Sequence, residues 1–146
     1  MRKKRAYVCG PMRGRQYYNF PEFIRTAVIL RGLGYRVISP TDLDKWIHHF
    51  DGMRCHPDDP CTGAPTFVSC WTGRVKKFNM TLCVLVDILA VLWSDFLLVL
   101  DGWEESTGGK AEIAVAKFAG KKLVFAKDLG VGDDAWALGI KQVLEK

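Results

Sequence analysis

The run Asp95-Phe96-Leu97-Leu98-Val99-Leu100 constrains the fold of this chain more than any other segment. A continuous apolar run closed by a turn, here Asp101-Gly102, marks a parallel strand buried on both faces, and such a strand needs helices packed on either side. The rest of the chain supplies them. Residues 5–9 read as a short buried strand ended by Gly10-Pro11, and a polar loop then runs to Asn19. Phe23, Ala27, Leu30 and Leu33 fall at helical intervals, with Pro21 suited to the first turn and Gly34 placed to close the helix. Residues 35–39 form a second strand stopped by Pro40, which makes the first unit βαβ.

Between about residues 45 and 77 the texture changes to prolines, glycines, histidines and cysteines, which reads as an irregular insertion with a short helix near 44–50. A structureless segment of that length is a candidate lid or specificity segment. Residues 78–93 carry Leu82, Leu85, Val86, Leu89 and Leu92 at helical intervals and predict a core helix apolar on most of its circumference. A helix over 110–119, a strand over 122–126 and a final helix over 133–145 complete the order. The expectation is a single α/β domain over residues 1–146, three-layered and Rossmann-like, with a four- or five-stranded, mainly parallel sheet and helices on both faces.

Composition removes several function classes. The formal charge is +5, but Arg2, Lys3, Lys4 and Arg5 supply four of those charges, so the body of the chain is nearly neutral. It offers no basic stripe interleaved with aromatics of the kind that binds nucleic acid. No apolar signal region follows the basic start, and the apolar stretch 82–100 is interrupted by Asp87 and Asp95, so neither a signal peptide nor a membrane span is expected and the cytoplasm is the expected location. The five cysteines, at 9, 55, 61, 70 and 83, lack paired spacing and predict no disulfide framework. Cys55, His56, Cys61 and Cys70, near His48 and His49, offer zinc-binding residue types without tight ligand pairs, so no metal and no cofactor is expected.

In open parallel sheets ligands bind beyond the carboxyl ends of the strands. Two such positions are loaded here: Gly10, Met12 and Arg13 after the first strand, and the segment from Asp101 to Glu112 after the buried one. Glu112 reads as an acid in the opening turn of a helix, among small and apolar neighbours and with no evident salt-bridge partner, where a carboxylate nucleophile for an anomeric carbon would sit. Ser106-Thr107-Gly108-Gly109 supplies hydroxyls and open backbone N–H groups suited to phosphate, although such a sequence also serves as a plain N-cap. Asp87 is a charge on an apolar helix and has to be paired, hydrogen-bonded or catalytic.

These residues carry a resemblance. Tyr7-Val8-Cys9-Gly10-Pro11-Met12-Arg13-Gly14 with Tyr18-Asn19-Phe20-Pro21, and Ser94-Asp95, Asp101-Gly102-Trp103-Glu104, Ser106, Gly108 and Glu112, resemble a phage-associated domain family of unassigned function in the nucleoside 2-deoxyribosyltransferase-like superfamily. The first segment is also similar to that of 2'-deoxynucleoside 5'-monophosphate N-glycosidases, and the eight-residue spacing of Asp87 and Asp95 resembles that of those enzymes and of the deoxyribosyltransferases. The resemblance covers about residues 5–44 and 82–126 and skips the insertion. It implies that Glu112 attacks C1' of the sugar, that Tyr7 orients it, and that Asp87 or Asp101 protonates the departing base. It further implies that Ser106, Gly108 and Gly109 hold a 5'-phosphate, with Gly10, Met12, Arg13 and Asp95 also at the substrate. The implied partners are a small-molecule nucleotide and a second copy of the chain, as a homodimer or higher oligomer. Base exchange by deoxyribosyl transfer and nucleotide binding without turnover stand as the competing readings.

Overall fold

The computed structural model describes residues 2–49, 66–68 and 71–146. Its centre is a four-stranded, all-parallel sheet of order β2-β1-β5-β6, built from β1 (Arg5–Cys9), β2 (Arg36–Ile38), β5 (Phe96–Val99) and β6 (Lys122–Phe125). The run that begins at Asp95 is central as expected: β5 pairs with β1 from Ala6↔Phe96 to Cys9↔Val99 and with β6 from Phe96↔Lys122 to Val99↔Phe125. All four β5 residues are buried, whereas the edge strands β2 and β6 are only partly covered.

The alternation of side chains along β1 divides the core. Ala6 and Val8 face α1 (Phe20–Gly32) and α5 (Asp133–Glu145), where Phe23, Leu30, Trp136 and Ile140 complete one apolar layer. Tyr7 and Cys9 face the opposite way, towards α3 (Met80–Trp93) and α4 (Thr107–Phe118), and pack with Ala90, Val91, Ile113 and Ala116. This is the expected three-layer arrangement.

Four local expectations need correction. Pro40 does end the second strand, but it also opens α2 (Pro40–His48), four residues before the expected helix, because proline is preorganised for the first helical turn. Within the expected insertion, β3 (Thr66–Val68) and β4 (Val75–Lys77) pair antiparallel as a small separate sheet. The rest of the expected lid, with Cys55, His56, Cys61 and Cys70, lies outside the described residues.

The third correction concerns α3, which is not a core helix. It buries Cys83, Ala90 and Val91 against the sheet, but leaves Val84, Leu85 and Leu89 more than half exposed, with Leu82 and Leu92 close behind. Its apolar residues exceed what one contact face can cover, so the surplus forms an outward stripe. Finally, α4 starts at Thr107 rather than Lys110, because the Ser106 hydroxyl caps it by accepting the Gly109 N–H at 3.0 Å. No described helix is long and apolar enough to cross a membrane.

Candidate active site

Tyr7 is fully buried on β1 and sends its hydroxyl towards α4, where it donates to Glu112 Oε1 at 3.2 Å. Cys9, two residues on and therefore on the same face of the strand, donates its thiol to the Gly109 carbonyl at 3.6 Å and also lies against the Glu112 carboxyl. Asp87 reaches the same enclosure from α3. Four residues from three distant segments, Tyr7 and Cys9 of β1, Asp87 of α3 and Glu112 of α4, thus converge where these elements meet.

The electrostatics follow from enclosure. Burial pushes the Glu112 carboxyl up to about 7, against hydrogen bonds from Cys9 and Tyr7 that favour the ionised form. Burial also raises Asp87, to about 8; the Glu112 charge adds to it, then Asp44, while the Tyr7 hydroxyl opposes them. Burial, and then the Glu112 and Asp87 charges, hold the Tyr7 phenol well above its usual range, so it stays a proton donor. Cys9 is likewise raised by burial and by Glu112. Glu112 Oε2 and Asp87 Oδ1 are shut from solvent and have no hydrogen-bond partner among the described residues. Buried polar atoms without partners cost on the order of 1–3 kcal/mol each, and their pairing in one enclosure marks it as a place for a polar ligand.

Glu112 is not in the opening turn of its helix. With α4 starting at Thr107 it is the sixth helical residue, beyond the reach of the dipole's stabilisation, which agrees with a carboxyl that burial raises rather than a helix end lowers. The Ser106 hydroxyl serves as the N-cap, and Gly109 is buried beneath it. Gly108 is exposed, and a β-carbon there would meet Ser106 Oγ at 3.9 Å, an ordinary van der Waals contact. The acidic residues before this turn are paired from the first loop and from the turn after β6: Arg15 pairs with Glu105 at 3.3 Å and Lys127 approaches Glu104 at 3.9 Å.

Gly10 is buried at the end of β1, and a β-carbon there would stand 2.8 Å from Leu100 Cβ, so the first loop crosses β5 too closely for a side chain. Met12 is half-buried and Arg13 exposed on that loop. The loop is anchored by Asn19, which donates to the Pro11 carbonyl at 2.8 Å, and by buried Tyr18, which packs with Phe20, Phe78 and Cys83.

Two expected site residues lie elsewhere. Asp95 precedes β5 at the amino end of the sheet, where Arg5 binds it through its backbone N–H and guanidinium, each at 2.8 Å, and Arg2 adds a contact at 3.2 Å. Its eight-residue distance from Asp87 spans the end of a helix and a turn, so spacing alone gave no common location. Asp101 is exposed and lines a separate cleft of about 480 Å³ with Arg15, Arg25, Lys127 and Trp136. Residues that a sequence reading passes over are Cys9, Trp103, and the buried pair Asp44 and Cys83. Trp103 packs against the layer that holds Tyr7 and Cys9, with its ring centroid 6.0 Å from that of Phe125, and its Nε1 has no partner among the described residues. Cys9 alone had a signal, its shared strand parity with Tyr7.

The architecture has a known counterpart. The chain is similar to a solved 2-deoxyribosyltransferase from the psychrotolerant bacterium Bacillus psychrosaccharolyticus, with a TM-score of 0.51 and 15% identity over 83% of this chain and 70% of that one. The chain has a nucleoside deoxyribosyltransferase-like fold. Residues 74–125, from β4 to the end of β6, match a family described as a domain of unknown function (DUF4406). A comparison with curated proteins finds no match.

Proposed function

We propose that the chain hydrolyses the N-glycosidic bond of a (deoxy)nucleoside 5'-monophosphate through a glycosyl-enzyme intermediate on Glu112. The observation that carries this reading is the Tyr7 hydroxyl on Glu112 Oε1 at 3.2 Å with Asp87 in the same enclosure. With Oε1 held by Tyr7, Oε2 is the attacking atom. Its lone pair forms the bond to C1' as the bond from C1' to the base nitrogen breaks. Asp87, pushed up to about 8, is protonated at neutral pH and gives its proton to the departing base. Water then attacks C1', Asp87 takes its proton, and Glu112 leaves as the carboxylate. The base and the sugar phosphate are released and both carboxyl groups return to their starting forms.

At the start of α4 the backbone N–H groups of Thr107 and Gly108, with Ser106 and Gly109, form the cradle for the 5'-phosphate. Gly10 allows the first loop to lie close by, and Met12 and Arg13 border the base or the phosphate. Asp101 and Asp95 have no part in this scheme. A second reading is base exchange, favoured by the likeness to a 2-deoxyribosyltransferase; it uses the same intermediate, with a second base in place of water. The outward apolar stripe of α3 supports assembly as a homodimer. The setting is the cytoplasm of a bacterium or of a phage-infected host.

The test is release of free base from a panel of ribo- and deoxyribonucleoside monophosphates, with and without an added acceptor base, and with Glu112→Gln as control. Free base without acceptor supports hydrolysis, and exchange only with acceptor supports transfer. Equal behaviour of wild type and Glu112→Gln on every substrate would sink both.

A further inference from the structure

Beside the glycosyl enclosure, but not part of the scheme above, lies a mixed cluster on α2 and α3. Asp44 and His48 stand one helical turn apart on α2 and so share a face, and Cys83 stands opposite them in the first turn of α3. The ligating atoms of the three residues all lie within 4.8 Å of one another. We propose that Asp44, His48 and Cys83 bind one thiophilic divalent cation of the Zn²⁺ kind, which clamps α2 to α3.

The donor set selects the ion. One sulfur, one imidazole nitrogen and one carboxylate oxygen suit Zn²⁺ or Co²⁺, whereas Mg²⁺ and Ca²⁺ take oxygen ligands. Tetrahedral zinc with bonds of 2.0–2.3 Å holds its donor atoms about 3.3–3.8 Å apart. The cluster therefore needs a contraction of about 1 Å, within the range of side-chain adjustment. Three protein ligands leave the fourth position to water.

The surroundings are prepared for a metal. His48 Nδ1 is bonded to the Asp44 carbonyl at 3.1 Å, the outer-shell contact that fixes the tautomer of a ligating histidine and presents Nε2 as the lone pair. The His48 ring is held by stacking on Phe78, with centroids 4.4 Å apart. Nε2 accepts the Asn79 N–H at 3.0 Å, and Asn79 is exposed, so water can take over that amide when Nε2 turns to the ion. Asp44 and Cys83 are only 4% and 6% exposed, and Asp44 has no ion pair among the described residues. A dication answers a buried carboxylate that no side chain among the described residues neutralises.

The test uses the full chain, stripped with chelator and titrated with Co²⁺. The expected result is one Co²⁺ per chain with a sulfur-to-cobalt charge-transfer band, displaced by Zn²⁺, and a raised Tm in the loaded protein. Cys83→Ser removes the band and the Tm gain, and His48→Gln weakens binding at least about tenfold. Should Cys83→Ser fail to fold, Asp44→Asn with the same expected loss of the Tm gain takes its place. A triple substitution of Cys55, Cys61 and Cys70 by Ser leaves the band unchanged. Absence of the band in wild type, its persistence in Cys83→Ser, or its loss in the triple variant overturns the proposal. None of these readouts depends on glycosidase activity.

Discussion

Two donors, the Tyr7 hydroxyl and the Cys9 thiol, recover part of the ionisation that burial denies Glu112, while Asp87 bears both burial and the Glu112 charge. The proposed nucleophile therefore loses its proton near 7 and the proposed acid near 8. In a pH series, kcat/KM is expected to rise as Glu112 ionises through about 7 and to fall as Asp87 ionises through about 8, giving a narrow bell. Tyr7→Phe removes a hydrogen bond that favours ionised Glu112, so its acid limb moves to higher pH; an unmoved limb argues against Tyr7 as the orienting group. Asp87 and Glu112 were legible from the residues, as an acid on an apolar helix and an acid after a strand-end turn, whereas Tyr7 entered only through the resemblance. Asp101 and Asp95 were not separable from them, because sequence spacing does not say which end of a sheet or which side of a strand a residue occupies. Cys83 was hidden because a buried cysteine reads as a small apolar residue, and Cys9 showed only through its strand parity with Tyr7.

At the scale of elements, strands were easier to read than helix starts. The β1 and β5 segments are short and apolar, and their ends are set by Gly10-Pro11 and Asp101-Gly102. The start of α4 depends on a single hydroxyl, Ser106, and an expected start at Lys110 placed Glu112 one turn too early. The apolar repeat of α3 gave the helix but not its setting, because a helix apolar all round is equally suited to a core or to a contact between molecules. Val84, Leu85 and Leu89 are 56–57% exposed, and a second copy is the expected cover. Replacing Leu85 and Leu89 with Glu should convert a dimer to a monomer by light scattering, with the helical circular dichroism retained. A wild-type monomer at all concentrations would remove dimerisation from the proposal.

For the whole molecule, pH acts in two opposed ways. Glu112 and Asp87 have raised carboxyl values in the folded state, so that state binds more protons than the unfolded chain between about 4 and 8, and stability falls as pH rises through that window. Asp95 is held down at about 2, chiefly by its hydrogen bonds from Arg5, so its contribution is present above 3.8 and is lost as pH falls towards 2. Melting curves should show greatest stability near pH 4 and a decline above it, and Glu112→Gln should flatten that decline. A Tm that climbs from pH 5 to pH 8 would contradict the buried-carboxyl picture. Gly10→Ala should cost about 1–3 kcal/mol by denaturant titration, since its β-carbon would overlap Leu100. The layering itself was legible because each layer has its own periodicity, while the antiparallel pair of β3 and β4 gave no such signal. The alternation along β1 also ties chemistry to folding fidelity. A slip of one residue against β5 would turn Ala6 and Val8 towards Glu112 and send Tyr7 and Cys9 into the other layer. A chain misaligned in this way keeps an apolar core and a helical spectrum but has no proton donor beside its carboxylate, so turnover per molecule, more than any spectrum, counts the correctly threaded fraction of a preparation.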